Sequence, residues 1–224
     1  MNFVDPLWQR ALIDVARNKR VPVIFDEVAS GLYRLGYKSC REILGVDPDI
    51  AAYAKLLTGG LVPMSVTLAS NDIFSSFLGD SKAEALLHGH SYSAHPVGCI
   101  ASIHALEAYI NAVKGSSFYN ETHVAQLSAL ASVQECMSLG TVLALKIKSR
   151  NGDTSSLVQS LVRRLNGKGY FIRPLGDVIY VMASLVTKPE ESTKIVCLLQ
   201  DVIIDEESDH KRKNEYQSHL NCVV

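Results

Sequence analysis

The sequence predicts an α/β fold, and three short apolar runs in its first half carry that prediction. VPVIF at residues 21–25 is β-branched, apolar and followed by Asp26 and Glu27, which is typical of a strand buried on both faces of a parallel sheet. Residues 50–54 and 64–69 are two further predicted strands. Ligands of such mostly parallel sheets gather at the carboxyl ends of the strands, where the two carboxylates are expected.

Helical patterns flank these strands. Residues 5–18 place apolar side chains at helical spacing after Asp5 and Pro6, a combination typical of a helix start. Residues 96–111 carry a second helical pattern. The strands and helices together predict part of a large α/β domain, with helices packed on the sheet, over residues 1–112.

A smaller α+β domain is predicted over residues 113–204, where helical and extended patterns alternate. Its expected elements are a helical stretch as far as Cys136, a strand at TVLALKIK, a helix over residues 155–165, short strands in YFIRPLGDVIYVM and a last helix from Pro189. Residues 205–224 are charged and almost without apolar periodicity, which predicts a disordered tail.

The composition is that of an ordinary globular chain. Its 224 residues are 47% apolar and 20% charged with a formal net charge of −1, so no basic face is expected for nucleic acid and a small molecule is the expected ligand. Five widely spaced cysteines predict reduced thiols. The amino terminus shows no targeting pattern, and the longest uncharged stretch, residues 85–106, contains histidines, serines and Pro96 that would be costly in a membrane.

Three segments follow one another in a fixed order: IFDEVASGLYRLG at 24–36, PDIAAYAKLLTGG at 48–60 and HGHSYSAHPVGCIAS at 88–102. Together they resemble the class-III aminotransferases of fold type I, and the resemblance covers residues 3–185. It implies the carboxyl-terminal part of a pyridoxal 5'-phosphate (PLP) domain followed by a small α+β domain. It also implies a homodimer that acts on a small amino-oxo acid with an amino donor.

Within that family, VDPLWQR, HGHSY and RPLGDVIYVM are most similar to the 7,8-diaminopelargonic acid aminotransferases of biotin synthesis, particularly those fused to dethiobiotin synthetase in plants. The resemblance implies conversion of 8-amino-7-oxononanoate to 7,8-diaminononanoate and a mitochondrial location. The sequence carries no GxxxxGK[ST] loop, so it gives no basis for the ATP-using synthetase activity.

Asp26 and Lys55 are the expected centre of the site. Transamination strips a proton from a substrate carbon, and the resulting charge spreads into a ring that works best with its nitrogen protonated, so a carboxylate beside that nitrogen is needed. The resemblance implies that Asp26 is this partner, and that Lys55 binds the cofactor covalently and afterwards moves the proton. The alternatives are a turn-capping aspartate and a solvated surface lysine.

The HGHSY segment is expected to lie on the phosphate side of the cofactor. The family carries a threonine where this chain has Ser91, whose hydroxyl would reach the cofactor of the neighbouring subunit; serine keeps the oxygen and loses a methyl group. By the same resemblance His90 contacts the phosphate side and Gly89 offers its backbone to the substrate. The alternative is a polar turn before the helix at Pro96.

Arg173 is the expected substrate carboxylate ligand, because a guanidinium can donate two parallel hydrogen bonds to a carboxylate. The matching arginine of the diaminopelargonate enzymes holds the oxononanoate carboxylate. The alternative is a surface arginine at a strand end. A zinc site built from the nearby histidines and a cysteine is a weaker hypothesis, since the resemblance explains that segment without metal; its members would be His88, His90, His95 and Cys99.

The sequence contains no glycine-serine phosphate cradle and no cofactor-stacking aromatic segment of the kind that precedes the strand of Asp26 in the family. We therefore expect a carboxyl-terminal portion whose first strand exposes an unpaired edge. Two functions follow from this expectation. The chain is either a transaminase or part of one, or it is a noncatalytic subunit that pairs with a full-length aminotransferase.

Overall fold

A computed structural model describes residues 4–89, 91–112, 118–148 and 155–221 of the chain. The chain forms two compact units that meet in the sequence between residues 115 and 116. Within the described residues, no helix combines the length and the apolar content that crossing a membrane requires.

The first unit contains the predicted strands and helices, together with three short helical turns. Its elements are α1 (Pro6–Asn18), β1 (Ile24–Asp26), α2 (Cys40–Leu44), β2 (Ile50–Tyr53), a 3-10 helix (Lys55–Thr58), β3 (Val66–Ala69), α3 (Asn71–Ser75) and α4 (Pro96–Ala112). The helix start predicted at Asp5 is confirmed, because the Asp5 carboxylate accepts a hydrogen bond from the Leu7 backbone N–H at 2.7 Å and Pro6 opens the helix.

The sheet of the first unit has the order β1-β2-β3. Strands β1 and β2 are parallel, with Asp26 opposite Ala52, whereas β3 runs antiparallel to β2. The carboxyl ends of β1 and β2 therefore lie at the same end of the sheet, and the residues that follow each strand emerge there together.

Strand β1 is less buried than the sequence predicts. Ile24 is 62% exposed, Asp26 is exposed and Phe25 between them is half-buried. The prediction of burial on both faces is wrong because β1 is an edge strand of the described sheet, with its single ladder to β2. The apolar core of the first unit instead surrounds β2 and consists of Leu32, Ala51, Tyr53 and Leu57.

The second unit is a four-stranded antiparallel sheet covered by three helices. Its elements are α5 (Glu121–Ser128), β4 (Val133–Leu139), β5 (Val142–Ile147), α6 (Ser155–Gly167), β6 (Arg173–Leu175), β7 (Val178–Met182) and α7 (Pro189–Asn221). The strand order is β4-β5-β7-β6. Leu143, Leu145, Ile147 and Ile179 are each 1% exposed and form the centre of its core.

The helical stretch predicted as far as Cys136 is wrong in its last part. Helix α5 ends at Ser128, and Cys136 lies in β4 opposite Leu145 of β5. Gly140, with a φ of +54°, makes the tight turn that joins the two strands. This β-hairpin overrides the helical spacing because its register buries one face of β4 against the core.

The residues directly after Ile204 are not disordered, because α7 continues past them to Asn221. Three contacts hold this part of the helix. The Arg164 guanidinium pairs with Glu206 at 2.8 Å and with Asp209 at 2.6 Å, and the Glu207 carboxylate accepts a hydrogen bond from the Ser132 backbone N–H at 2.6 Å. The charged residues of this segment suggest a solvated tail, but these three form ion pairs and hydrogen bonds with Arg164 and Ser132 of the second unit.

We expect Glu207→Ala to lower the free energy of unfolding of the second unit by roughly 1–3 kcal/mol. Ser132 is only 2% exposed, so its backbone N–H would lose its carboxylate acceptor without gaining water. Glu207→Gln is the matched control, since its amide oxygen can still accept this hydrogen bond. Urea unfolding curves that are equal for wild type and the alanine variant would contradict the docked arrangement of α7.

Candidate active site

Asp26 ends β1 with an exposed carboxylate. One of its oxygens, Oδ1, accepts a hydrogen bond from the Val28 backbone N–H at 3.1 Å, which orients the side chain over the turn that follows the strand. The ladder continues one residue further, because the Glu27 N–H donates to the Ala52 carbonyl at 2.9 Å. Asp26 is thus held at a fixed point of the sheet while its carboxylate stays open to a ligand.

Lys55 begins the 3-10 helix that follows β2, and its side chain is exposed. Its φ of +49° lies in the left-handed region, which is strained for a residue with a long side chain and costs on the order of 1–3 kcal/mol. The surrounding turn maintains this conformation. The Leu57 N–H donates to the Ala54 carbonyl at 3.0 Å, and the Tyr109 hydroxyl of α4 donates to the Leu56 carbonyl at 2.9 Å.

Gly59 closes the same turn in the left-handed region, with a φ of +63°. A Cβ added there would lie 3.4 Å from the Tyr109 hydroxyl, so glycine suits both the conformation and the close approach of α4. The Thr58 hydroxyl, which is buried, donates to the Val62 carbonyl at 2.7 Å. The backbone after Lys55 is therefore fixed by contacts on both sides.

The register of β1 and β2 brings the two expected residues to the same end of the sheet. Asp26 lies opposite Ala52, and Lys55 lies three residues after Ala52 and two residues beyond the end of β2. An exposed carboxylate and an exposed amine thus emerge from neighbouring parallel strands. This donor set fits PLP, since the amine can bind the aldehyde carbon of the cofactor and the carboxylate can pair with its protonated ring nitrogen.

Glu27 follows Asp26 at the end of β1, as the sequence predicts, but unlike Asp26 it is directed away from the exposed end of the sheet. It is 2% exposed, and its carboxylate accepts hydrogen bonds from Ser39, Cys40 and Tyr53. The only signal in the sequence is the pair of adjacent carboxylates at the end of a strand. Because successive side chains of a strand point to opposite faces, one of the pair is directed to the exposed end and the other into the core.

Gly89 and Ser91 lie on an exposed segment before α4, and His90 lies outside the described residues. A Cβ added at Gly89 would meet only the Ser93 hydroxyl, at 3.5 Å, which is ordinary contact. His95, next to this segment, accepts a hydrogen bond from the Gly98 backbone N–H through Nδ1 at 3.2 Å and so caps the start of α4. The roles predicted for Gly89, His90 and Ser91 stay predictions.

Arg173 belongs to the second unit, where it opens β6 opposite Tyr180 of β7 and is exposed. It lines an open groove of about 380 Å³ together with Tyr170, Phe171 and Glu191. Phe171 is 96% exposed, so the groove combines an aromatic surface with one guanidinium. Such a surface is suited to a ligand with an apolar chain and a terminal carboxylate.

The sequence pattern of the class-III aminotransferases matches residues 1–203, and the chain therefore belongs to this family. Its members depend on PLP, in agreement with the fold and with the placement of Asp26 and Lys55. The computed structure superimposes on the crystal structure of an adenosylmethionine-8-amino-7-oxononanoate aminotransferase from Methanocaldococcus jannaschii with a TM-score of 0.77. That pair is 25% identical, and the match covers 88% of this chain and 49% of the other.

Two other similar proteins illustrate the range of the family. The bifunctional dethiobiotin synthetase/7,8-diamino-pelargonic acid aminotransferase of Arabidopsis thaliana, named as mitochondrial, is 44% identical over 212 residues, which cover 89% of this chain and 26% of the relative. An ornithine aminotransferase from Toxoplasma gondii shares the fold with a TM-score of 0.82 at 22% identity, covering 94% of this chain and 49% of the other. The chain thus spans about a quarter of the plant relative and half of the solved structures.

Proposed function

We propose that the chain carries the lysine-bearing part of a PLP-dependent transaminase that converts 8-amino-7-oxononanoate to 7,8-diaminononanoate in biotin biosynthesis. The observation that carries the proposal is the emergence of Asp26 and Lys55 from neighbouring parallel strands. The substrate assignment is supported by the 44% identity to the plant bifunctional protein, whose name includes this aminotransferase.

PLP supplies an electron-accepting ring to which a substrate amine can be joined. In the proposed site, the Asp26 carboxylate would hold the cofactor at its protonated ring nitrogen and would keep that proton in place. The Lys55 amine would hold the cofactor covalently at its aldehyde carbon and would also serve as the group that accepts and returns a proton. Its exposed position on a rigid turn supports this role, because the amine can reach a ligand while its Cα stays fixed.

The segment around Ser91 is proposed to complete the phosphate site. His90 and the Ser91 hydroxyl would contact the cofactor phosphate and Gly89 would present its backbone to the substrate, with Ser91 acting across the interface of a homodimer. The exposure of Gly89 and Ser91 supports this role, since both are available to a second chain or to a ligand.

Arg173 is proposed to bind the carboxylate of the oxononanoate substrate. The groove beside it supports the proposal, because its aromatic residues can pack against the apolar chain of that substrate. We further propose a large-domain part over residues 1–112 and a small domain over 113–204, supported by the two compact units. A mitochondrial location is proposed because the similar protein of Arabidopsis thaliana is named as mitochondrial.

We expect Arg173→Ala to reduce the specificity constant for 8-amino-7-oxononanoate by about ten- to a hundredfold, equivalent to roughly 1.5–3 kcal/mol for a lost charged hydrogen-bond pair. The dissociation constant for PLP should stay unchanged. Arg163→Ala, which removes a guanidinium on α6 of the same unit, is the matched control. A specificity constant equal to that of wild type would show that Arg173 does not contact the substrate.

The proposed function is tested by joining the chain to the amino-terminal half of a class-III aminotransferase, adding PLP and following absorbance, borohydride fixation and product formation. The expected result is a yellow protein in which borohydride fixes the label on Lys55, identified by peptide mass spectrometry, whereas the 224-residue chain by itself is expected to bind PLP poorly. Release of 7,8-diaminononanoate from 8-amino-7-oxononanoate and an amino donor would support the full activity. A colourless protein without label on Lys55 would refute the proposal.

One observation favours a second function, in which this chain is not catalytic and pairs with a full-length aminotransferase. Helix α1 directs apolar side chains away from the core of the first unit; these are Leu7, Trp8, Leu12 and Val15, each 53–73% exposed. Co-expression with a full-length relative distinguishes this function. A mixed dimer in which the label stays only on the relative's lysine would favour it over catalysis by this chain.

A further inference from the structure

We propose that Glu27 is a positioning residue, which locks the strand that carries Asp26 to the turn that carries Lys55. This inference rests on the proposed function, because it assigns to Glu27 the relative placement of the two cofactor-binding side chains. Glu27 itself faces the core and is too deeply buried to touch a ligand at the exposed end of the sheet.

Three donors from different elements converge on the Glu27 carboxylate. Oε1 accepts from the Ser39 hydroxyl at 2.5 Å and from the Tyr53 hydroxyl at 3.0 Å, while Oε2 accepts from the Cys40 backbone N–H at 2.7 Å. The Tyr53 and Ser39 hydroxyls also lie 3.2 Å apart. One carboxylate therefore joins the end of β1, the last residue of β2 and the start of α2.

Tyr53 is the link to the lysine. It ends β2 two residues before Lys55, and its ring packs so closely on Gly31 that a Cβ added there would lie 2.8 Å from two ring carbons. The ring cannot swing aside without losing the hydroxyl contact to Glu27. The position of Tyr53, and with it the start of the lysine turn, is consequently fixed by Glu27.

The surroundings of the Glu27 carboxylate disfavour a second negative charge. Burial is the main cause that raises the pKa of the Tyr53 phenol and of the Cys40 thiol, and the negative charge of Glu27 raises both further. No Lys or Arg pairs with Glu27 among the ion pairs of the described residues, so the hydrogen bonds alone compensate its burial. A buried carboxylate that loses one of its hydrogen bonds is costly in free energy, so movements that break these hydrogen bonds are disfavoured and the arrangement is rigid.

The test compares Glu27→Gln and Tyr53→Phe with wild type in the chain joined to the amino-terminal half of a class-III aminotransferase. In Glu27→Gln, the amide N–H₂ faces one of the three donors, so at least one hydrogen bond is lost. In Tyr53→Phe, the ring stays and the hydroxyl donor is removed. We expect PLP to bind roughly ten- to a hundredfold more weakly to Glu27→Gln. In the cofactor-free protein, the NMR resonances of the Leu57 and Gly59 amides should shift in both variants.

Two controls separate positioning from stability. Glu42→Gln removes an exposed carboxylate on the neighbouring α2, and Leu44→Ala destabilises the same unit through a buried side chain that does not contact Glu27. Both should leave the PLP dissociation constant within about twofold of wild type, and Leu44→Ala should do so despite a lower unfolding midpoint. If binding instead falls in proportion to stability in all variants, Glu27 is merely structural and the inference fails.

The remaining outcomes also decide the question. If wild type binds no PLP, the proposed function fails, while the shifts of the Leu57 and Gly59 amides still show whether Glu27 sets the lysine turn. If Glu27→Gln does not fold, Tyr53→Phe decides the matter by the same two measurements. Unchanged amide resonances together with an unchanged dissociation constant in Tyr53→Phe would overturn the inference.

Discussion

Replacing Lys55 with alanine is expected to abolish covalent attachment of PLP and to reduce turnover by at least roughly a hundred- to ten-thousandfold, the range lost with a group that transfers a proton in the reaction. The alanine side chain has no amine to bind the cofactor aldehyde. Folding should be largely unaffected, because Lys55 is exposed and has no part in the apolar core. The measurements, made on the chain joined to the amino-terminal half of a class-III aminotransferase, are the visible absorbance of the PLP-treated protein and borohydride labelling followed by peptide mass spectrometry.

Lys82→Ala is the matched control for this experiment, since it removes an exposed lysine of the same unit that lies in a turn outside the strands and the 3-10 helix. It should label like wild type. Lys55→Arg keeps the positive charge but is not expected to restore the attachment, because guanidinium is not a nucleophile at neutral pH. Normal labelling of Lys55→Ala at another lysine would show that Lys55 is not the cofactor lysine.

Ile179→Ala is expected to lower the free energy of unfolding of the second unit by about 2–5 kcal/mol. Ile179 is 1% exposed and lies on the central strand β7, between β5 and β6, so the deleted atoms leave a cavity in the middle of the core. Because β7 also pairs with the strand that begins at Arg173, the variant should loosen the strand carrying that guanidinium. Urea unfolding monitored by circular dichroism measures the loss.

The size of the deleted group should control this effect. Ile179→Val removes one methyl group and should cost about 0.5–1.5 kcal/mol. Met182→Ala lies on the same strand, but Met182 is 44% exposed, so its loss should be smaller than that of Ile179→Ala. Equal unfolding curves for Ile179→Ala and Met182→Ala would contradict the burial of Ile179 in the core.

The positions of Asp26 and Lys55 in the sheet could be predicted from the sequence because their signals are local; their roles toward a cofactor stay predictions. Asp26 directly follows an apolar strand, and Lys55 follows another, so that the rule for parallel strands brings them to one end of the sheet. The strands and the flanking helices lie within a few residues of their predicted positions. These features depend on residue types and spacing that can be read without knowledge of the tertiary structure.

Features that depend on distant partners could not be predicted. The exposure of Ile24 follows from the position of β1 at the sheet edge, and the strand conformation of Cys136 follows from pairing with β5. The ordered part of α7 beyond Ile204 depends on Arg164, which is 42 residues before Glu206 in the sequence. The burial of Glu27 could not be predicted for the same reason, since its donors at Ser39 and Tyr53 come from separate elements.

The left-handed backbone of Lys55 has a consequence for how this position would change over evolutionary time. A lysine at a φ of +49° is retained at the expense of stability, and glycine would adopt the same turn without that strain. Under the proposed function, the need for the amine opposes this replacement. In a gene copy that no longer needs cofactor chemistry, selection for stability alone should therefore favour glycine or asparagine at this position.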